Sequence, residues 1–286
     1  MCLNNTSSEC RRDTVQGLAY TIIFILGMLL QIGFFHGFFS KRGSWTDTHI
    51  YMFNLAVADS THIFFLPFRI YDDIYECLPK TFLCTFLFNM HYLNMYASIL
   101  TTAAVSVHRY VAVRFPIWAR SWSKKKETAC AVCLLIWGLL LTICTVFREE
   151  NYPRNLWTCF ERCKNIPLKL EIILLLLVLG FLLPLLILVF CSSQIIHILL
   201  KQSSSPEKKG IIGIVIGNLF VFVLCFTPIN VAYVVNYLDK VPENWQSLPI
   251  SVPHKFYVVS EWIASTNCCF DSISYYFLLK HFYSQQ

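Results

Sequence analysis

Two acidic residues lie deep inside hydrophobic segments of this sequence, where an isolated charge is costly. Asp59 ends the segment Asn54-Leu-Ala-Val-Ala-Asp59, and Asp271 follows Asn267-Cys-Cys-Phe in a second hydrophobic segment. A carboxylate surrounded by hydrocarbon has to pair, bind a cation or become neutral. With the neutral oxygens of Ser98 and Asn267, the two carboxylates would suit a hard cation, and we expect an allosteric sodium ion. The alternative is two acids that are hydrogen-bonded separately.

The elements that must position these residues are seven long hydrophobic blocks. Each block has roughly the 20 apolar residues that a membrane-spanning helix needs. They cover residues 16–39, 48–72, 82–114, 128–147, 168–200, 210–238 and 253–279. The connections between them are short, which predicts a single bundle of neighbouring helices. The sequence therefore predicts an all-α membrane protein, with an extracellular N-terminus (1–15), a seven-transmembrane helix bundle (16–279) and a short cytoplasmic tail (280–286).

The composition excludes several functional classes. Of the 286 residues, 56% are hydrophobic and only 14% are charged, whereas soluble domains carry about a quarter charged residues. The net charge of +6 is scattered, without the basic stripe interleaved with aromatics that nucleic-acid binding needs. No phosphate loop, nucleophile elbow or zinc-helix motif occurs, so we do not expect an enzyme. Acid–base catalysis by Asp59 and Asp271 is the remaining enzymatic alternative.

Orientation in the membrane rests on the N-terminal segment. An odd number of spans places the two termini on opposite sides. Asn4 and Asn5 each begin a glycosylation acceptor, in Asn4-Asn5-Thr6 and Asn5-Thr6-Ser7, which favours an extracellular N-terminus. Lys and Arg divide almost evenly between the two sides, so the positive-inside rule adds little. We therefore predict a multi-pass plasma-membrane protein.

A set of motifs then occurs in a distinctive order along the chain. The set consists of Asn54…Asp59, Val107-His108-Arg109-Tyr110, Trp137, Pro184, Phe222-Val-Leu-Cys-Phe226-Thr-Pro228 and Asp271-Ser-Ile-Ser-Tyr275. This set resembles the motifs of rhodopsin-like (class A) G-protein-coupled receptors across all seven spans. Residues 45–59 and 267–276 further resemble the group of the kynurenic-acid-responsive orphan receptor and the lysophosphatidylinositol receptor, near the purinergic and lysophospholipid receptors.

The resemblance implies how such a protein would work. The fold would be a seven-transmembrane helix bundle with a short amphipathic eighth helix. An extracellular ligand would favour one of two helix arrangements, and a heterotrimeric G protein would read the cytoplasmic face. The implied coupling and switch residues are His108, Arg109, Tyr110, Phe222, Phe226, Pro228 and Tyr275. The family's disulfide would join Cys84 to Cys159, with Cys163 as the alternative partner.

The ligand pocket is expected between the extracellular halves of the helices. Its candidate residues are Arg69, His91, Tyr92, Asn94, Arg148, Asn230, Tyr233 and Glu261. Arg69 and Arg148, with Lys164, would receive a small anionic or lipid ligand; alternatively, Arg69 simply pairs with Glu261. We do not expect His91 to bind a metal, because no second His or Cys is spaced to join it.

Four positions depart from the family pattern. Gln31 replaces an Asn of the first span, His108 replaces an acid, Ser192 replaces a Tyr, and Ser272 replaces a Pro. These departures leave a non-signalling or decoy receptor as the alternative function. A transporter is the other alternative, although no inverted repeat is present.

Overall fold

The computed structural model describes residues 13–40, 47–75, 78, 82–117, 126–146, 159–160, 169–201, 206–238 and 252–274. Seven helices run through these residues: α1 (Thr14–Ser40), α2 (Asp47–Ile74), α3 (Phe82–Arg114), α4 (Lys126–Val146), α5 (Leu170–Lys201), α6 (Pro206–Leu238) and α7 (Val252–Ser265, continuing over 267–274). The first six predicted spans coincide with these helices to within about four residues, and the seventh coincides as far as residue 274, because 275–279 lie outside the described residues. The predicted eighth helix and the acceptors Asn4 and Asn5 lie outside the described residues.

The distribution of polar and apolar residues is the reverse of that in a water-soluble protein. Four helices, α1, α4, α5 and α6, are long and apolar enough by themselves to cross a membrane. On α4, Leu134 and Leu135 are about 70% exposed, as expected for side chains that face lipid. The polar residues of α2, α3 and α7 are largely buried, for example Asp59, Ser98 and Asn267. The bundle therefore presents hydrocarbon outward and keeps its polar groups inside.

Helix α3 lies at the centre of the bundle. It packs against α2, α4 and α5, while α1 packs on α2, and α6 packs on both α5 and α7. The largest apolar cluster joins α3, α5 and α6 through Ile99, Leu188, Phe222 and Phe226. A second connection is polar: Trp137 of α4 donates to Asn54 of α2 at 2.9 Å. These contacts fix which faces of the helices point toward the centre.

Helix α5 contains a wide turn. It is α-helical over Leu170–Leu177 and Leu183–Lys201 and π-helical over Val178–Leu182. Pro184 has no backbone N–H to donate to the carbonyl of Gly180, so the regular series of helical backbone hydrogen bonds is interrupted here. The turn brings Gly180 against the ring of Tyr96, where an added Cβ would lie 2.5 Å from Tyr96 Cε1. A residue without a side chain is therefore required at this contact.

Candidate functional site

A disulfide and a buried carboxylate mark one end of the bundle. Cys84, at the start of α3, is bonded to Cys159, so the pairing that the resemblance implied is present. Asp72 of α2 holds the same region: its carboxylate accepts backbone N–H groups from Leu78 at 2.7 Å and Cys159 at 3.0 Å. We call this the disulfide end of the bundle. Asp72 was not among the predicted site residues, since its only signal in the sequence is an acid near the end of a hydrophobic block.

A buried ion pair joins α2 to α7 near the disulfide end. Arg69 Nη2 donates to Glu261 Oε2 at 2.5 Å, and both side chains are almost completely buried. The guanidinium also lies 4.2 Å from the ring centre of Tyr20 and 5.3 Å from that of Phe160. Of the two alternatives for Arg69, the structure contains the ion pair. Arg148 and Lys164, its expected cationic neighbours, lie outside the described residues.

Glu261 accepts hydrogen bonds from two tyrosines as well as from Arg69. The hydroxyls of Tyr92 and Tyr257 donate to Glu261 Oε1 at 3.2 and 2.7 Å, and the two hydroxyl oxygens are 2.9 Å apart. One carboxylate thereby connects α2, α3 and α7. Arg69 keeps two groups, Nε and Nη1, that have no hydrogen-bond partner among the described residues, so the guanidinium retains donors for another acceptor.

A central cavity lies below this ion pair. Its lining is Ala58, Asp59, His62, His91, Asn94, Met95, Ser98, Phe226, Ile229, Tyr233, Glu261, Ala264, Ser265, Asn267 and Cys268. It offers about 30 Å³ to the centres of water molecules, which is space for roughly two waters or a small ion. A larger ligand would require the helices around the cavity to move apart.

Some of the predicted ligand residues line the central cavity, and others do not. His91, Asn94, Tyr233 and Glu261 line the central cavity. Asn94 is buried, and neither atom of its amide group has a hydrogen-bond partner in the described part of the chain. Asn230 instead donates to the carbonyl of Phe226 on its own helix and is not among the lining residues.

The reason for not expecting a metal at His91, that no second His is near it, does not hold in the structure. His62 of α2 lies beside it, with ring centres 5.1 Å apart. The two residues are 29 positions apart in the sequence and lie on different helices, so spacing along one helix could not reveal the pair. Among the described residues, no three His, Cys, Asp or Glu side chains are close enough together to hold a metal ion.

The predicted cation residues form a hydrogen-bonded cluster beneath the central cavity. Asp271 Oδ2 accepts from Ser98 at 3.0 Å and from Asn267 at 2.7 Å, and Asn267 also donates to Ser98. Asp59 lines the cavity with Ser98 and Asn267, and its Oδ2 has no hydrogen-bond partner within the described segments. The four side chains are thus brought together, and Asp59 is the member with spare acceptor capacity.

A second cavity lies on the side away from the disulfide end; we call it the Arg109 cavity. Its lining is Met52, Leu55, Thr102, Val105, Arg109, Asn218, Val221, Phe222, Phe226, Asn267 and Asp271. Phe226 and Asn267 line both cavities. Phe222 contacts Phe226 edge-on at 5.2 Å and stacks on Phe181 at 6.2 Å. The aromatic residues that the resemblance implied as switches therefore separate the two cavities.

Three of the remaining switch residues lie in the described helices but do not line the Arg109 cavity, and one lies outside the described structure. Pro228 lies within α6, and Tyr110 packs against Phe190 of α5 at 5.7 Å. His108 Nε2 lies 3.5 Å from Asp47 Oδ2, at the start of α2. Asp47 was not among the predicted site residues. Tyr275 lies outside the described residues.

Two departures from the family pattern contact each other. Ser272 of α7 donates to Gln31 Oε1 of α1 at 2.6 Å. Gln31 Nε2 in turn donates to the carbonyl of Ala56 and to Ser60 of α2. The longer side chain of Gln31 and the hydroxyl of Ser272 thereby connect three helices.

Comparison with known proteins agrees with this architecture. Residues 36–275 match the model of the 7 transmembrane receptor (rhodopsin family). The chain is 29% identical to lysophosphatidic acid receptor 6 of Gallus gallus, over 96% of this chain and 93% of that receptor. It is 30% identical to G-protein coupled receptor 55 of Homo sapiens, over 99% and 92% of the two chains. It is 33% identical to G-protein coupled receptor 35 of Mus musculus, over 91% of this chain and 84% of that receptor. The seven-helix bundle, its disulfide and this match over most of the chain show that the protein belongs to the rhodopsin family of seven-transmembrane receptors.

Proposed function

We propose that this plasma-membrane receptor responds to an anionic lipid of the lysophospholipid class and activates a heterotrimeric G protein. Several of the proteins that it resembles are named lysophosphatidic acid receptors. The observation that carries the proposal is Arg69, a buried cation with two nitrogens, Nε and Nη1, that have no hydrogen-bond partner in the described structure. A phosphate that reaches Arg69 would gain charge-assisted, bidentate hydrogen bonds.

Ligand binding at Arg69 would act on the helix arrangement through Glu261. A phosphate would compete with Glu261 for the guanidinium, and Glu261 also holds Tyr92 of α3 and Tyr257 of α7. Weakening this contact loosens the connection between α2 and α7 and lets the small central cavity widen. The ligand thus favours one of two arrangements because it binds only one of them well.

The signal would then pass to the far side of the bundle through the shared wall of the two cavities. Phe226 and Asn267 line both cavities, so a displacement of either side chain changes the surroundings of Arg109. In this proposal the N-terminus and the disulfide end face outside, and Arg109 faces the G protein.

Nucleotide exchange in membranes tests the proposal. Membranes that contain the receptor and a G protein are titrated with lysophosphatidic acid and with a monoacylglycerol that lacks the phosphate. We expect exchange with the phosphate-bearing lipid alone. Binding without exchange would instead support the decoy alternative, and no binding of any lysophospholipid would contradict the proposal.

Charge variants then test the role of Arg69. Removing Arg69 alone would leave Glu261 buried without its partner. That change would destabilise the folded receptor whether or not a ligand binds. The double variant Arg69→Met/Glu261→Gln removes both charges while keeping similar side-chain volumes. The single variant Glu261→Gln is its comparison, because it removes the acid and keeps the arginine. We expect the double variant to require at least about tenfold more lipid, a loss typical of a charge-assisted hydrogen bond. A normal response of the double variant would make Arg69 purely structural.

A further inference from the structure

Two histidines from different helices face the same buried space. His62 of α2 and His91 of α3 both line the central cavity. Their ring centres are 5.1 Å apart and the ring planes are inclined by 42°. The rings are thus not stacked flat, and because both line the cavity, an ion there could contact both.

The separation of the rings suits a shared tetrahedral ion. Zinc binds imidazole nitrogen at about 2.0–2.1 Å, and the ring centre lies about 1.1 Å farther on. Two imidazoles on one tetrahedral ion therefore have ring centres roughly 5 Å apart. The observed distance of 5.1 Å matches this value.

The hydrogen-bonding state of His62 also indicates a ligand. His62 Nε2 is completely buried and has no hydrogen-bond partner among the described residues. Buried polar nitrogens without a partner are uncommon and need an explanation. One turn along α3 from His91, the amide of Asn94 lines the same cavity and is also unsatisfied within the described residues. Asn94 could therefore accept a hydrogen bond from a water bound to the ion.

Charges of both signs act on the cavity. Its lining contains two carboxylates, from Asp59 and Glu261, and the charge of Arg69 acts on both histidines from beside it. Arg69 is paired with Glu261, whereas Asp59 Oδ2 has no hydrogen-bond partner in the described structure. A cation bound near the histidines would favour the ionised form of Asp59, and the two opposite charges would attract each other.

We propose that His62 and His91 bind a divalent transition-metal ion of the zinc type between α2 and α3. Both nitrogen ligands suit zinc or copper better than calcium or magnesium. The site has two protein ligands, because no larger group of metal-binding side chains comes together in the described residues. The remaining coordination positions face the cavity, which has room for about one water beside the ion, so the ion binds reversibly.

Zinc titration of the intact receptor tests the site without any lipid ligand. Receptor in lipid nanodiscs is freed of metal with a chelator and titrated with zinc chloride, and binding is followed by calorimetry and by the shift in Tm. We expect His62→Gln and His91→Gln each to weaken zinc binding at least about tenfold, since even outer-shell changes at metal sites cost about 10–100-fold. His197→Gln, which changes an exposed histidine on α5, should bind like the unchanged receptor. Equal zinc binding by all variants would overturn the proposal.

A spectroscopic measurement on the unchanged receptor does not depend on how well a variant folds. Copper binds such nitrogen sites more tightly than zinc, and pulsed electron paramagnetic resonance counts the imidazoles on the ion. We expect a copper species with two imidazole nitrogens that zinc displaces in competition. Detection of only one imidazole, or of no bound copper at about 1 mM metal, would overturn the proposal.

Discussion

Ser272 donates a hydrogen bond to Gln31, and these are two of the positions at which the chain departs from its family's usual pattern. Because Gln31 also binds Ala56 and Ser60, the two departures form a connection among α1, α2 and α7. We expect them to depend on each other energetically. A double-mutant cycle of Gln31→Leu and Ser272→Ala, followed by thermal unfolding, should give a coupling of about 1 kcal/mol. Thr142→Ala, on an exposed face of α4 with a bond only to its own helix, is the control. Additive effects of the two substitutions would contradict the connection.

Gly180→Ala should destabilise the receptor, although alanine normally favours a helix. The new methyl group would lie 2.5 Å from Tyr96 Cε1, and overpacking of this kind costs about 1–3 kcal/mol. The Tm should therefore fall. Gly213→Ala is the matched control because a Cβ there has no neighbour within 4 Å, and it should leave the Tm unchanged or raise it. A higher Tm for Gly180→Ala would show that the contact between α5 and Tyr96 is loose.

Asp72→Ala should destabilise the disulfide end. The carboxylate accepts the backbone N–H groups of Leu78 and Cys159, and each buried donor left unsatisfied costs about 1–3 kcal/mol. Thermal unfolding of the receptor measures the loss. The exposed acid Glu127 provides the control in Glu127→Ala. Unchanged stability of the Asp72 variant would mean that water replaces the carboxylate without cost.

Sodium should lower agonist affinity, and Asp59→Asn should abolish this dependence. Asp271 already accepts from Ser98 and Asn267, whereas Asp59 has an oxygen without a hydrogen-bond partner in the described structure. Asp59 is therefore the carboxylate most able to hold the ion. Agonist binding is measured in sodium chloride and in N-methylglucamine chloride at equal ionic strength. The same sodium effect in the variant and in the unchanged receptor would exclude the site.

Basal nucleotide exchange should be high, and His108→Asp should lower it. The imidazole of His108 carries no negative charge that could pair with Arg109, whereas the family's acid at this position does. A salt bridge worth ~1 kcal/mol shifts a two-state equilibrium roughly fivefold. Because Asp47 lies 3.5 Å from His108, its charge would repel the new carboxylate. Asp47→Asn should therefore strengthen the effect of His108→Asp.

Basal exchange is compared at matched surface expression for the unchanged receptor, for His108→Asp and for the double variant. Asp47→Asn alone should keep basal exchange high, since it gives Arg109 no new partner. A silent receptor that His108→Asp does not change would show that the argument from Arg109 is wrong.

The helices could be predicted from the sequence, while many of their mutual contacts could not. Span length and apolar composition locate a helix such as α3, whose predicted limits and observed limits coincide. The contact between His62 and His91 depends instead on how α2 and α3 are rotated against each other. The same holds for Ser272 and Gln31, which are 241 positions apart. The π-helical turn at Val178–Leu182 arises from a local interruption that hydrophobic periodicity does not reveal.

The ion pair between Arg69 and Glu261 also constrains how the chain is assembled during synthesis. The partners are 192 positions apart, and ribosomes add about 5–20 residues per second, so Arg69 is made roughly 10–40 s before Glu261. During that interval Arg69 lacks its partner Glu261, and a charged guanidinium costs about 2.5–3.5 kcal/mol at the centre of a membrane helix. Arg69 lies near one end of α2, so its long side chain can extend toward the headgroups until α7 arrives. Insertion of α2 and final closure of the bundle are therefore separate events in the biogenesis of this receptor.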